Sequence, residues 1–253
     1  MRPRKHKAFF LLALSLLLPG ALCAQEPVAP LQPTARQIVE QLEARNHKRA
    51  EALKNFEGRR VYNLIYTGWG GRREATLTVE ACYQAPVRKQ FSILSQSGSK
   101  FMTSRVLMRL IKSEQEAADA TNVAKTTLSN ANYSFELLGQ EVLDGRLAHM
   151  LNVLPKVDNK FLYRGKVWID AAEFAVVKIE AEPAKRPSFW ISRTQIHHTY
   201  AKVDRFWLPA QNKSTTDVRI GGKAVLTINY TDYRVNQPAP ASAAVHNGNE
   251  MIR

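Results

Sequence analysis

Cysteine is almost missing from this 253-residue chain: Cys23 and Cys82 are the whole supply. Cys23 sits in an N-terminal stretch that reads as a removable leader, so a single thiol remains and no intramolecular disulfide can form. Cys82 falls in an alternating apolar–polar stretch and reads as a small apolar strand residue. Long apolar runs are missing after the first 24 residues, which excludes a spanning helix there. Acidic residues are scarce beside basic ones, 22 against 36. No Gly-x-Ser-x-Gly, His-Glu-x-x-His, Cys-x-x-Cys or phosphate loop occurs, so the common hydrolase, zinc-protease, redox and nucleotide-binding readings find no foothold. His197 and His198 are neighbours on a predicted strand and face opposite ways, so they do not share a metal. Nothing in the sequence asks for a cofactor or a metal, and the chain is not read as an enzyme.

What is present begins with Arg2, Arg4, Lys5 and Lys7, without an acid among them, then an apolar run over residues 8–18 and Ala21-Leu22-Cys23-Ala24. That order of basic, apolar and small-residue regions is a secretory signal peptide. The bulky Leu22 before Cys23 spoils a lipoprotein cleavage motif, so the expected cut lies between Ala24 and Gln25. Removing residues 1–24 takes four basic residues and leaves 32 against 22 acidic ones, an excess of ten. An exported basic chain meets anionic lipid headgroups or acidic polymers rather than nucleic acid.

Residues 25–33 read as a disordered leader, residues 34–236 as one domain and residues 237–253 as a flexible tail. Thr34 and Gln37 have capping-box spacing, and Ile38, Val39, Leu42 and Leu53 lie on one broad helix face; residues 55–58 are expected to end that helix. Three strands follow, over 60–69, 74–83 and 87–94, with Tyr62, Leu64 and Tyr66 on one face of the first and Ala75, Leu77, Val79 and Ala81 on one face of the second. Residues 104–128 change to helical period. Val106, Leu107, Leu110 and Ile111 make the apolar stripe; Arg105, Arg109 and Lys112 flank it, and Glu114 lies beyond them. Seven more strands are expected, over 133–138, 146–154, 161–170, 174–182, 188–200, 206–219 and 223–235, joined by turn residues such as Asp144-Gly145 and Asp204-Arg205. Ten strands with short connections must curl. The predicted class is α+β: a strongly curved antiparallel sheet, an incomplete barrel, wrapped over a leading helix and an inserted helical lid. Phe189-Trp190 and Phe206-Trp207 each offer one aromatic ring to either face.

Gly165-Lys166-Val167-Trp168-Ile169-Asp170 followed by residues 174–180, and Phe206-Trp207-Leu208-Pro209 closing the next strand pair, resemble the outer-membrane lipoprotein-sorting (LolA/LolB-like) superfamily over roughly residues 35–236. Pro187-Ser188-Phe189-Trp190 is more similar to a subgroup of it than to the carrier members. The resemblance implies a half-open barrel with a helix-closed apolar cavity and a periplasmic, non-enzymatic role in binding or carrying the acyl chains of lipid or lipoprotein. The expected cavity and lid residues are Val106, Leu107, Leu110, Ile111, Trp168, Phe189, Trp190, Phe206 and Trp207, with Arg105, Arg109 and Lys112 at a headgroup rim. Expected partners are acyl lipid or lipoprotein and a membrane surface or membrane-protein complex. Two other readings stay open: a sensor or interaction module whose cavity its own side chains fill, and an envelope hydrolase.

Overall fold

The computed structural model describes residues 32–85, 88–185, 191–219 and 221–238, and a division into compact units falls between Gln32 and Pro33. The expected signal peptide with its junction at Ala24 and Gln25, the leader as far as residue 31, Phe189, Trp190 and the tail from residue 239 lie outside the described residues.

Thr34 caps the first helix, α1 (Ala35–Ala52), with the reciprocal bonds its spacing predicts: its hydroxyl accepts from the Gln37 N–H, and the Gln37 amide oxygen accepts from the Thr34 N–H at 2.9 Å. Ile38, Val39 and Leu42 are buried on one face, each contributing roughly 1.5–3 kcal/mol by leaving water. The helix stops at a Leu53 cap, and residues 55–58, expected as a turn, already belong to β1 (Asn55–Gly68). β2 (Gly71–Gln84) and β3 (Arg88–Gly98) complete a hairpin series. In β1 and β2 the alternation puts Tyr62 and Leu64, and Ala75, Leu77, Val79 and Ala81, inward as their spacing predicts. Cys82 therefore faces outward, half-buried, and burial followed by Glu57 and Glu80 pushes its thiol pKa up.

A helical insert follows: α2 (Lys100–Met102), a π-helical segment (Thr103–Leu107), α3 (Met108–Ala117) and α4 (Ala120–Thr126). Then come β4 (Tyr133–Leu143), β5 (Arg146–Pro155), β6 (Tyr163–Asp170), β7 (Val176–Pro183), β8 (Ile191–Val203), β9 (Phe206–Val218) and β10 (Gly222–Val235). All ten strands are antiparallel in one sheet of order β3-β2-β1-β10-β9-β8-β7-β6-β5-β4. The sheet is not closed, and β3 and β4 are its edges. β1 pairs with β10, from Phe56 opposite Val235 to Gly68 opposite Gly222. The insert joins β3 to β4, so the chain has to travel from one edge of the sheet to the other. Its path begins at Gly98, where φ is +81° and a Cβ would lie 2.3 Å from the Glu74 carbonyl oxygen; only glycine makes that departure without strain.

Both helical elements cover the same face of the sheet, in different places. α1 packs with Leu151, Val153, Val167, Ile169, Ile179 and Ala181 of β5–β7. The insert packs Met102, Leu107 and Ile111 against Tyr62, Leu64, Leu77 and Ile228 of β1, β2 and β10. One cross-strand row shows the result: Leu77, Tyr62, Ile228, Asn212, His198, Ile179, Val167 and Leu151 stand side by side on this inner face. It is apolar under the insert, polar at Asn212 and His198, and apolar again under α1. No described helix is long and apolar enough to cross a membrane.

Candidate functional site

The strip of inner face between the two helical covers, with the insert beside it, is the candidate site. Its floor comes from β8, β9 and β10, whose inward residues Ile196, His198, Tyr200, Asn212, Ser214, Leu226 and Tyr230 are all half-buried. Their groups are nonetheless strongly desolvated. Burial raises the Tyr200 phenol to about 12 and drops His198 to about 4. Side chains that solvent still touches but that behave as buried line a concave surface.

Rings and cations cross this floor in a continuous stack. Tyr200 lies over His198 at 4.5 Å between centroids and His198 over Tyr230 at 6.1 Å. The Arg60 guanidinium sits between Tyr230 at 5.1 Å and Phe91 at 5.0 Å, and Lys89 approaches Phe91 at 5.7 Å. Such contacts gain strength where water is excluded.

The insert meets the stack through one residue. Glu114, near the end of α3, accepts from Arg60 Nη1 and from Lys89 Nζ on the same oxygen, Oε1, at 2.5 Å each. Tyr62 donates to Oε2 at 3.4 Å. Burial opposes the charge on Glu114, but Lys89 and Arg60 outweigh it and hold the carboxyl below its usual pKa. Burial dominates at Lys89 and lowers its pKa despite Glu114; at Arg60 burial also pulls downward, and Glu114 more than reverses it. Burial, followed by Glu114, pushes the Tyr62 phenol up to about 12. This is a latch between lid and sheet, built from β1, β3 and α3.

The sequence placed Glu114 outside the site; the structure places it at the centre. A lone glutamate on a helix reads as solvated until Arg60 and Lys89, from two separate strands, are known to lie beneath it.

The predicted lid stripe divides. Leu107 and Ile111 are buried, whereas Val106 and Leu110 are 37% and 36% exposed. The helical period itself divides it. Leu107, Ile111 and Glu114 fall on one side at i, i+4 and i+7, while Val106 and Leu110 flank that face; upstream, the π-helical turn sets the inward Met102 and Leu107 five positions apart. Leu110→Asp, at a side chain still partly covered, should consequently cost about 1 kcal/mol, while Leu107→Asp, placing a carboxylate where Leu107 is fully enclosed, should prevent stable folding. Urea denaturation of the two variants distinguishes this arrangement from the inward Leu110 of the sequence stripe. Arg105, Arg109 and Lys112 are exposed on the outer side of the lid.

The aromatic residues also sort by face. Phe206 is buried with Leu208 and Val235 against Ala52, Leu53 and Phe56. Trp168 and Trp207, expected in the cavity, are on the outer face, because each alternates with inward neighbours. Trp168 donates to Glu141 at 2.6 Å and lies under Lys178. Trp207 donates to Glu173 at 2.9 Å under Arg146. Glu173 also pairs with Lys202 and Arg146, and Arg49 of α1 donates to the backbone carbonyls of Glu173 and Phe174, so the backbone of this turn holds α1. Among the described residues no cluster of His, Cys, Asp and Glu is arranged to hold a metal.

No protein-family model and no curated protein matches the chain. Among solved structures it is similar to a DUF1329 family protein from Desulfovibrio piger, at 13% identity over 80% of this chain and 93% of that one, with a TM-score of 0.39. It is similar to an outer membrane lipoprotein-sorting protein domain from Vibrio parahaemolyticus, at 14% identity, 80% and 94% coverage and a TM-score of 0.40. It is also similar to a LolA superfamily protein from Nitrosomonas europaea, at 12% identity, 81% and 95% coverage and a TM-score of 0.36. Likenesses this distant transfer no residue role.

Proposed function

We propose that this chain is an exported, non-enzymatic envelope protein that holds the acyl chain of a lipid or lipoprotein between the inner face of its sheet and the helical lid. One observation carries the reading: the insert that connects the two edge strands lies over β1, β2 and β10 and is tied down at Glu114 by a compact ionic latch. An ionic tie of this kind can be exchanged for another, while the apolar contacts of Met102, Leu107 and Ile111 are of the sort an acyl chain replaces methylene for methylene, at about 0.8 kcal/mol each. The basic excess of the chain suits an anionic membrane surface.

A specific observation also favours a second reading, an interaction module of the same fold. The space beneath the lid is occupied by the lid's own side chains, as expected if the sheet serves to present a protein-binding surface. Titration with a fluorescent fatty acid separates the two. Saturable micromolar binding supports the acyl reading, and its absence with folded protein moves the assignment to the interaction module.

A further inference from the structure

Arg60 and Lys89 bring more positive charge under the lid than Glu114 matches. Two cations converge on one carboxylate, so the cluster carries one uncompensated positive charge on largely desolvated groups, where an unpaired charge is costly. Arg60 is only 3% exposed. Its guanidinium donates to Glu114 through Nη1 and also lies within hydrogen-bonding reach of the Tyr62 hydroxyl. Phe91 and Tyr230 flank the guanidinium plane, which leaves its edge for polar contacts, and a guanidinium edge is matched to two oxygens of a carboxylate or phosphate. Past Tyr230 the stacked ring of His198 carries a buried Nε2 that meets no partner among the described residues. A cluster serving only to pin the helix would not need the second cation.

We infer that the Arg60–Lys89 cluster is a binding site for an oxyanion, the carboxylate or phosphate head of an amphiphile whose chain lies beneath the lid, and that this anion competes with Glu114 for the same cations. The inference rests on the acyl-binding reading and adds to it where the head sits and what opens the latch. An incoming anion supplies the missing negative charge; Glu114, displaced, no longer ties α3 to β1 and β3. The exposed Arg105, Arg109 and Lys112 are not needed for this step.

The test compares dodecanoate, dodecyl phosphate and the uncharged dodecanol, with acetate and inorganic phosphate as headgroups lacking a chain. Wild type should bind the two anionic amphiphiles at least about tenfold more tightly than the alcohol, as charge-assisted bonds to a desolvated cation require. Lys89→Gln, which leaves Arg60 and Glu114 as a balanced pair, should bring the acid-to-alcohol ratio close to one. Glu114→Gln, which removes the competitor, should widen it. Hydrogen exchange over residues 103–117 should rise with dodecanoate and not with dodecanol. An equal affinity for acid and alcohol, or an unchanged ratio in Lys89→Gln, overturns the anion site and leaves acyl binding standing. No binding of any amphiphile overturns both. If acetate or phosphate alone loosens residues 103–117 as dodecanoate does, the ligand is a free small anion and the lipid assignment falls.

Discussion

Glu114→Ala should lower the free energy of unfolding by about 3–5 kcal/mol, the range for removing one member of a buried ionic cluster and stranding the other. The variant leaves Arg60 and Lys89 side by side beneath α3 with no counter-ion. Removing Lys89 instead should cost much less, since the Arg60–Glu114 pair stays balanced. Glu116→Ala supplies the baseline: Glu116 pairs with Lys160 at 3.0 Å on open surface, where an ion pair is worth about 0–1 kcal/mol. Chemical denaturation of the three variants is the measurement. A Glu114→Ala protein as stable as Glu116→Ala would mean that the latch carries no energy and the lid is held by apolar packing alone.

The second large effect is on pH dependence. Burial drops His198 from its ordinary value of 6.5 to about 4, with Glu114 opposing and Arg60 adding to the shift. A histidine with a depressed folded pKa binds fewer protons when folded, so the unfolded chain takes up the proton first as pH falls. Its contribution is complete above pH 6.5 and is lost on the way down towards pH 4. Stability should therefore fall by about 2 kcal/mol between pH 8 and pH 5 on account of this residue. His149, lowered by burial against Asp170, acts in the same direction, so the quantity to read is the difference between wild type and His198→Asn. Staying above pH 5 keeps Glu114, Asp170 and Glu173 out of the window, since their depressed carboxyl pKa values take effect lower down. If the two proteins lose stability in parallel, His198 is not the enclosed neutral ring described above.

Much of this architecture is legible in the residues. The capping box at Thr34, the alternation in β2, the Asp144-Gly145 turn and the change of period after β3 each depend on neighbours a few positions away, and each has its expected form. The opposed directions of Phe206 and Trp207 follow from the pleat alone. The pairing of β1 with β10 does not, because periodicity reports which face a residue occupies and not which strand lies beside it. That pairing puts β3 and β4 at opposite edges, so the insert has to connect one edge to the other. The latch was hidden for the same reason. Arg60, Lys89 and Glu114 come from three elements, and each alone looks like a surface charge. The π-helical turn was hidden for a different one: a helical stripe is drawn on a uniform 3.6-residue period, and one widened turn at Thr103–Leu107 departs from it.

Native mass spectrometry of the protein purified from the envelope of expressing cells tests acyl binding most directly. The predicted result is a polypeptide beginning at Gln25 with a noncovalent adduct of the mass of an acyl lipid, released under mild activation and depleted in Lys89→Gln. A folded wild-type protein that carries no adduct and gains none when mixed with anionic phospholipid would contradict it.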